Sequence, residues 1–126
     1  MNRKIRLSMI FTGLVLVVAC AGRTPSSVVQ AFYKAVANGD SDTAIGLLSQ
    51  KTIASVSREK LKAGLQEASR NVLKKGGLTE VQITNERTAG EVASVSMILK
   101  YGNGEQEMEE LDLVKEDDSW KIEPKK

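Results

Sequence analysis

One cysteine, two tyrosines and a few carboxylates are the side chains of this sequence that invite chemistry. Cys20 is the only cysteine, and the chain has no histidine. A nucleophilic thiol needs a base to take its proton, most often His, so Cys20 lacks its usual activator. A disulfide within the chain is excluded because there is no second cysteine. Tyr33 and Tyr101 could each donate a phenol O–H, and an acid–base site would need a carboxylate facing one of them. Asp40 and Asp42 flank a break after Gly39, where capping a helix is the ordinary role of Asp. Glu109 shares the parity of Leu111 and Leu113 and could face inward. It stands among Glu107, Glu110 and Gly104, however, and reads as a solvated strand end. With no His, a metal would have only carboxylates, and "GEQEMEELD" lacks the spaced ligands and turn glycine of a calcium loop. The residues predict no metal, no cofactor and no catalysis.

The elements that must position these groups begin after a processing signal. Arg3, Lys4 and Arg6 precede an apolar stretch from residue 9 to residue 19, broken only by Thr12 and Gly13. Charge, a short apolar run and then small residues form a secretory signal peptide. Residues 8–21 as a helix would cover about 21 Å, short of a hydrocarbon core of about 30 Å, so targeting and not spanning is the expectation. Val17-Val18-Ala19-Cys20 resembles the lipobox of bacterial lipoproteins, with Val17 where Leu is commonest. The resemblance implies cleavage before Cys20, a diacylglyceryl thioether on its sulfur and acylation of the new amino terminus. It makes Cys20 the lipidation site, with the membrane as partner. Ala21, in place of the Asp that retains such proteins, implies the periplasmic face of the outer membrane. In an organism with one membrane, the expected place is the outer leaflet of the cytoplasmic membrane.

Removing residues 1–19 takes three of the 18 basic residues and none of the 16 acidic ones, leaving 15 against 16. Without a positive surplus, nucleic-acid binding by bulk charge is not expected. The remaining 107 residues suit one domain. The expected organisation is a signal peptide over residues 1–19, an anchor and short tether over 20–24, a folded domain over 25–123 and a basic tail over 124–126.

Within the domain, Thr24-Pro25 reads as an N-cap and first helical residue. Val28, Val29, Phe32, Tyr33 and Val36 then recur at helical spacing. Asn38-Gly39-Asp40 ends that helix, and Asp40-Ser41-Asp42 caps a short second one with Ala44, Ile45, Leu47 and Leu48 inward. A third helix runs from about Ser57 through Leu61, Leu65, Ala68 and Val72 to Lys74-Lys75-Gly76-Gly77, where cations and glycine suit a C-terminus. From Leu78 the period becomes two. Val81 and Ile83 mark one strand, and Ala93, Val95, Met97, Leu99 and Tyr101 the clearest one. Gly102-Asn103-Gly104 signals a hairpin, Leu111 and Leu113 a third strand, and Glu116-Asp117-Asp118 a turn before Trp120 and Ile122. Helices followed by strands predict an α+β domain: three N-terminal helices packed on one face of a curved antiparallel sheet of about four strands. The acidic run at Glu105, Glu107, Glu109, Glu110 and Asp112, set against Lys74, Lys75, Lys121, Lys125 and Lys126, reads first as edge-strand protection and second as a partner surface.

"VVQAFYKAVANGDSDTAIGLLS" and "LDLVKEDDSWKI" carry a resemblance to the NTF2-like, cystatin-like cone fold found in small bacterial lipoproteins. The resemblance implies helices closing over a concave sheet face. Candidate lining residues of a pocket there are Phe32, Tyr33, Val36, Leu61, Leu65, Val95, Met97, Leu99, Tyr101 and Trp120, whose first reading is plain core and whose second is a ligand cavity. The expected function is a non-catalytic binding or protein-interaction domain in the cell envelope, with a homodimer or an envelope protein as possible partner. A carrier or sensor of a small apolar ligand is the second reading, and an isomerase-type enzyme with a carboxylate–tyrosine site the third.

Overall fold

The computed structural model describes residues 23–125, so the expected signal peptide and the expected lipidation site, Cys20, lie outside the described residues. Four helices, α1 (Pro25–Ala37), α2 (Ser41–Gly46), α3 (Gln50–Val56) and α4 (Arg58–Lys74), precede four strands. The strands are β1 (Leu78–Ala89), β2 (Val92–Tyr101), β3 (Gln106–Glu116) and β4 (Ser119–Ile122), antiparallel in the order β1-β2-β3-β4. The expected α+β class and meander are present, with one helix more than the sequence pattern indicated.

The helix starts follow from local hydrogen bonding. Thr24 accepts from the Ser27 amide ahead of Pro25, and Asp40 accepts from the amide and hydroxyl of Thr43 at 3.1 and 2.7 Å. Those bonds hold the Asp40 carboxyl below its ordinary pKa, so its role is the cap. Ser57 caps α4 with φ at +89°. The additional helix, α3, has Ser49 as its cap and buries none of its residues. Thr52, Ile53 and Val56 are β-branched, which weakens its helical signal. Its position comes from β4: Ser49 N–H donates to the Ile122 carbonyl (2.9 Å), Ile122 N–H to the Leu47 carbonyl (2.8 Å), and Ser49 Oγ to Glu123 (2.9 Å).

The core lies between the concave sheet face, α1 and the segment after α2. Val28, Val29, Leu48, Val95, Met97, Leu113 and Ile122 are buried there, all inside the domain. Ala35, Val36 and Ala44 form a second cluster, against which Leu65 and Ala68 of α4 pack. The outer face of β2 and β3 is largely polar, with Ser94 paired to Asp112 and Ser96 to Glu110. β1 runs five residues past Thr84 because ladder pairing continues to Ala89 opposite Val92. Asn85, Glu86, Arg87 and Thr88 are exposed there, and a register irregularity after Ile83 breaks the period-two pattern.

Candidate functional site

A cavity of about 240 Å³ opens at the mouth of the cone, between α1, the C-terminal half of α4 and the hairpin end of β2 and β3. Its apolar wall is Val36, Ala68, Val72, Leu78 and Leu99, and Tyr33, Asn71, Lys75, Tyr101, Glu107 and Glu109 bring polar atoms to it. The strand register explains this mixture. On β3 the inward positions pair with β2 as Leu113 with Ala93, Leu111 with Val95, Glu109 with Met97 and Glu107 with Leu99. One strand face therefore passes from apolar to acidic as it leaves the core. β4 pairs only with residues 113–116, so the outer edge beyond them carries Glu107, Glu109 and Glu110. The acidic run therefore falls on an open edge, where charge disfavours pairing with another strand.

Lys75 is placed over this acidic end by backbone contact. Gly76 and Gly77, both at φ +87°, reverse the chain after α4. The turn then lies directly on the β2–β3 hairpin: Gly102 N–H donates to the Gly77 carbonyl (2.8 Å) and Asn103 N–H to the Lys75 carbonyl (2.9 Å). A Cβ on Gly102 would fall 2.2 Å from the Gly76 carbonyl oxygen, so the approach requires glycine. With its backbone pinned, Lys75 sets its ammonium 4.7 Å from the Tyr101 ring centroid, 3.2 Å from Glu107 and 3.6 Å from Glu105. Tyr101 Oη donates to the other Glu107 oxygen at 2.5 Å.

The electrostatics follow from these contacts. Glu107 is held below the ordinary carboxylate range, first by the Tyr101 hydrogen bond and then by Lys75. The Glu107 hydrogen bond in turn raises Lys75. Burial is the main reason that both phenols are pushed far up, so Tyr33 and Tyr101 stay protonated. Tyr33 also stands within the field of Glu109 and Glu107, and its ring meets Phe32 edge-on at 5.4 Å. The outcome is an ionised carboxylate with two donors already committed to it, beside two neutral phenols and a cation seated on one of them.

Of the ten expected lining residues, Tyr33, Val36, Leu99 and Tyr101 reach this cavity. The other six do not, which corrects the expectation of one pocket lined by all ten. Val95 and Met97 are sealed in the core, because Val28 and Val29 of α1 close over that part of the sheet. Phe32 sits between the two clusters, and Leu65 packs on the second. Leu61 opens instead on a groove between α3, α4 and the segment after β4. Trp120 lies at the far end of the sheet, near Arg23 and Lys121, with the Lys115 ammonium 5.4 Å from its ring. Lys75, Glu107 and Asn71 were not among the expected site residues. The parity that marked Glu109 extends to Glu107, whereas Lys75 read as a plain helix-terminal cation.

A larger groove of about 350 Å³ between α1 and β1 is lined by Gln30, Lys34, Thr79 and Glu80 without converging groups. Among the described residues, no cluster of potential metal ligands gathers, and no helix is long and apolar enough to cross a membrane.

No curated protein matches the chain. Among solved structures, it is similar to a Campylobacter jejuni protein provisionally named an NTF2-like transpeptidase. That pair shares 16% identity and a TM-score of 0.72 over 79% of this chain and 97% of the other. A cystatin-fold protein from Novosphingobium aromaticivorans aligns at 13% identity and a TM-score of 0.52, over 81% and 99% of the two chains. A SEC-C motif containing protein from Rhodopseudomonas palustris aligns at 15% and 0.56, over 78% and 73%. At such identities the likeness carries the fold alone, which is NTF2-like. Residues 18–123 match the family described as a domain of unknown function, DUF4878, and the chain belongs to that family.

Proposed function

We propose that this chain is a lipoprotein of the cell envelope, held by acyl chains on Cys20, whose domain binds a ligand at the cone mouth without transforming it. The mouth carries this reading: an apolar wall and a few convergent polar groups are the usual make-up of a small-ligand site. A general base works best with a pKa near the operating pH. Glu107 is shifted the other way and already accepts two hydrogen bonds. It serves as a fixed negative charge and not as a base. The anchor rests on the signal and lipobox pattern of residues 3–20. The four residues Ala21 to Thr24 between the anchor and Pro25 reach at most about 14 Å, so the domain would work close to the bilayer.

Native mass spectrometry of the gently purified protein tests the binding reading. A mass excess from a small molecule, lost when Leu99→Trp fills the mouth, is the expected result; an unliganded mass across preparations and a negative screen against small molecules count against it. For the anchor, Cys20→Ser should leave an unprocessed, unacylated precursor. A cleaved and acylated product from that variant would overturn the lipoprotein assignment.

A further inference from the structure

The chemistry of the mouth names the class of ligand, given the binding reading above. The Lys75 ammonium sits on the Tyr101 ring face and between Glu105 and Glu107. An aromatic face flanked by carboxylates is a seat for an organic cation, and here the molecule's own side chain occupies it. Glu105 and Glu107 both pair with this one ammonium, and Glu109 lines the same cavity, so the surroundings keep a negative surplus with Lys75 in place. Below the seat, Val36, Val72 and Leu99 offer apolar wall. The Tyr33 hydroxyl has no hydrogen-bond partner among the described residues, although its ring is largely covered. An anionic ligand would meet Glu107 and Glu109 with only a lysine that two carboxylates already neutralise.

The geometry points to a small organic ammonium as the ligand, its head taking the place of the Lys75 ammonium beside Tyr101 and Glu107, in the cavity that Glu109 also lines, and its apolar body lying on Val36, Val72 and Leu99. The cavity, at about 240 Å³, falls below the roughly 300–1,000 Å³ of drug-sized sites, so the body is short. Lys75 is then an internal competitor. Its four-carbon stem lets the head swing to solvent while the backbone stays pinned by Gly102 and Asn103. A competitor of this kind lowers apparent affinity by the fraction of time it occupies the seat.

The test uses three probes of one shape, phenethylammonium, phenylacetate and phenethyl alcohol, with the membrane-extracted full chain in non-ionic detergent. Ligand-observed saturation-transfer NMR reads their binding. The ammonium should bind and the other two should not. Lys75→Met should tighten the ammonium by several-fold, on the order of tenfold, because the competitor is gone. Tyr101→Leu should weaken it several-fold through loss of the ring face, and Glu107→Gln or Glu109→Gln should each weaken it. Circular dichroism of each variant checks that it is folded, and the two Gln variants change different residues, so misfolding of one leaves the other to decide. Equal binding of all three probes, unchanged by the Gln variants, would overturn the ammonium assignment while leaving a binding module. Failure of Lys75→Met to bind phenethylammonium at about 10 mM, a free energy below about 3 kcal/mol, would overturn it as well. A natural ligand found by mass spectrometry that carries no cationic nitrogen would do the same and would uphold the binding reading.

Discussion

The two halves of the cone are built from similar side chains and differ in what closes them. In the sealed half, α1 and the Leu48–Ser49 segment press on the sheet while α2 packs on α1 and α4, and Val29, Ile45, Val95, Leu113 and Ile122 are fully buried. In the open half, α4 packs chiefly on the other helices, and Leu61, Leu65 and Val72 stay half-buried. Ladder bonds and a bridge between Leu48 and Ile122 stitch the sealed half together. Beyond the partial packing of Leu61 and Val72 on the core, the open half is joined to the sheet by backbone bonds where the turn at Gly76 and Gly77 meets the hairpin at Gly102. A fold can therefore keep a rigid floor and leave a mouth open simply by withholding one helix from the sheet.

Matched truncations break or sharpen this comparison, and the largest effect belongs to the sealed half. Leu113→Ala leaves a cavity where close-packed neighbours cannot follow, and should destabilise by about 3–4 kcal/mol, within the range for fully buried Leu. In a domain of this size that lowers the melting temperature by well over about 10 °C, read by thermal denaturation. The same change at Leu65, which is only partly buried on α4, should cost about 1–2 kcal/mol. Equal costs at the two sites would mean that α4 closes the cone as firmly as α1 does.

Gly102→Ala comes next. The backbone conformation there accepts any residue, so the obstacle is space alone: the new Cβ meets the Gly76 carbonyl. Hairpin and turn must part, and the bonds from Gly102 and Asn103 to the α4 turn are lost together. About 2 kcal/mol is expected from overpacking and two lost hydrogen bonds. Gly104→Ala, at φ +92° with nothing near its Cβ, should cost about 1 kcal/mol from strain alone. Equilibrium denaturation of the pair separates contact from conformation, and a milder effect at Gly102 than at Gly104 would contradict the pinned mouth.

The same contrast decides how much of the molecule was legible in its sequence. The sealed half announces itself: Val28, Val29 and Val36 repeat at helical spacing, and residues 93–101 alternate because one face is buried and the other wet. α3 and the last residues of β1 are held by partners distant in sequence and bury too little to leave a period. The site was legible only in part. Tyr33 and Tyr101 stood out as phenols, but Lys75 and Glu107 join them through backbone contact between two glycine turns, and local spacing does not encode that contact. The misplacement of Trp120 has the same root, since its parity marks the concave face without telling which end of the sheet it occupies.

The smallest effect is also the most specific to the mouth. Glu107 is held below its ordinary carboxylate pKa in the folded chain, first by Tyr101 and then by Lys75. A depressed folded-state pKa contributes stability that is present above the unfolded value, near 4.5. That stability is lost as the pH falls through the lower folded value. Lys75 is shifted up by the same pair and contributes below its unfolded value of 10.5, losing that contribution as the pH rises through the higher folded one. Between those limits both contributions are in place. Glu107 is substantially exposed, so solvent screening keeps the effect modest. Glu107→Gln keeps the shape and removes the charge. Denaturation midpoints of wild type and variant should differ at pH 7 and draw together as the pH is lowered past about 4.5 and through the folded value. A gap that is constant from pH 7 to pH 3 would show that the introduced amide disturbs packing, and the carboxylate would then have no electrostatic part in holding the mouth. Closure of the gap in acid would instead locate the coupling between α4 and the sheet in one ionised group at the rim of an otherwise apolar opening.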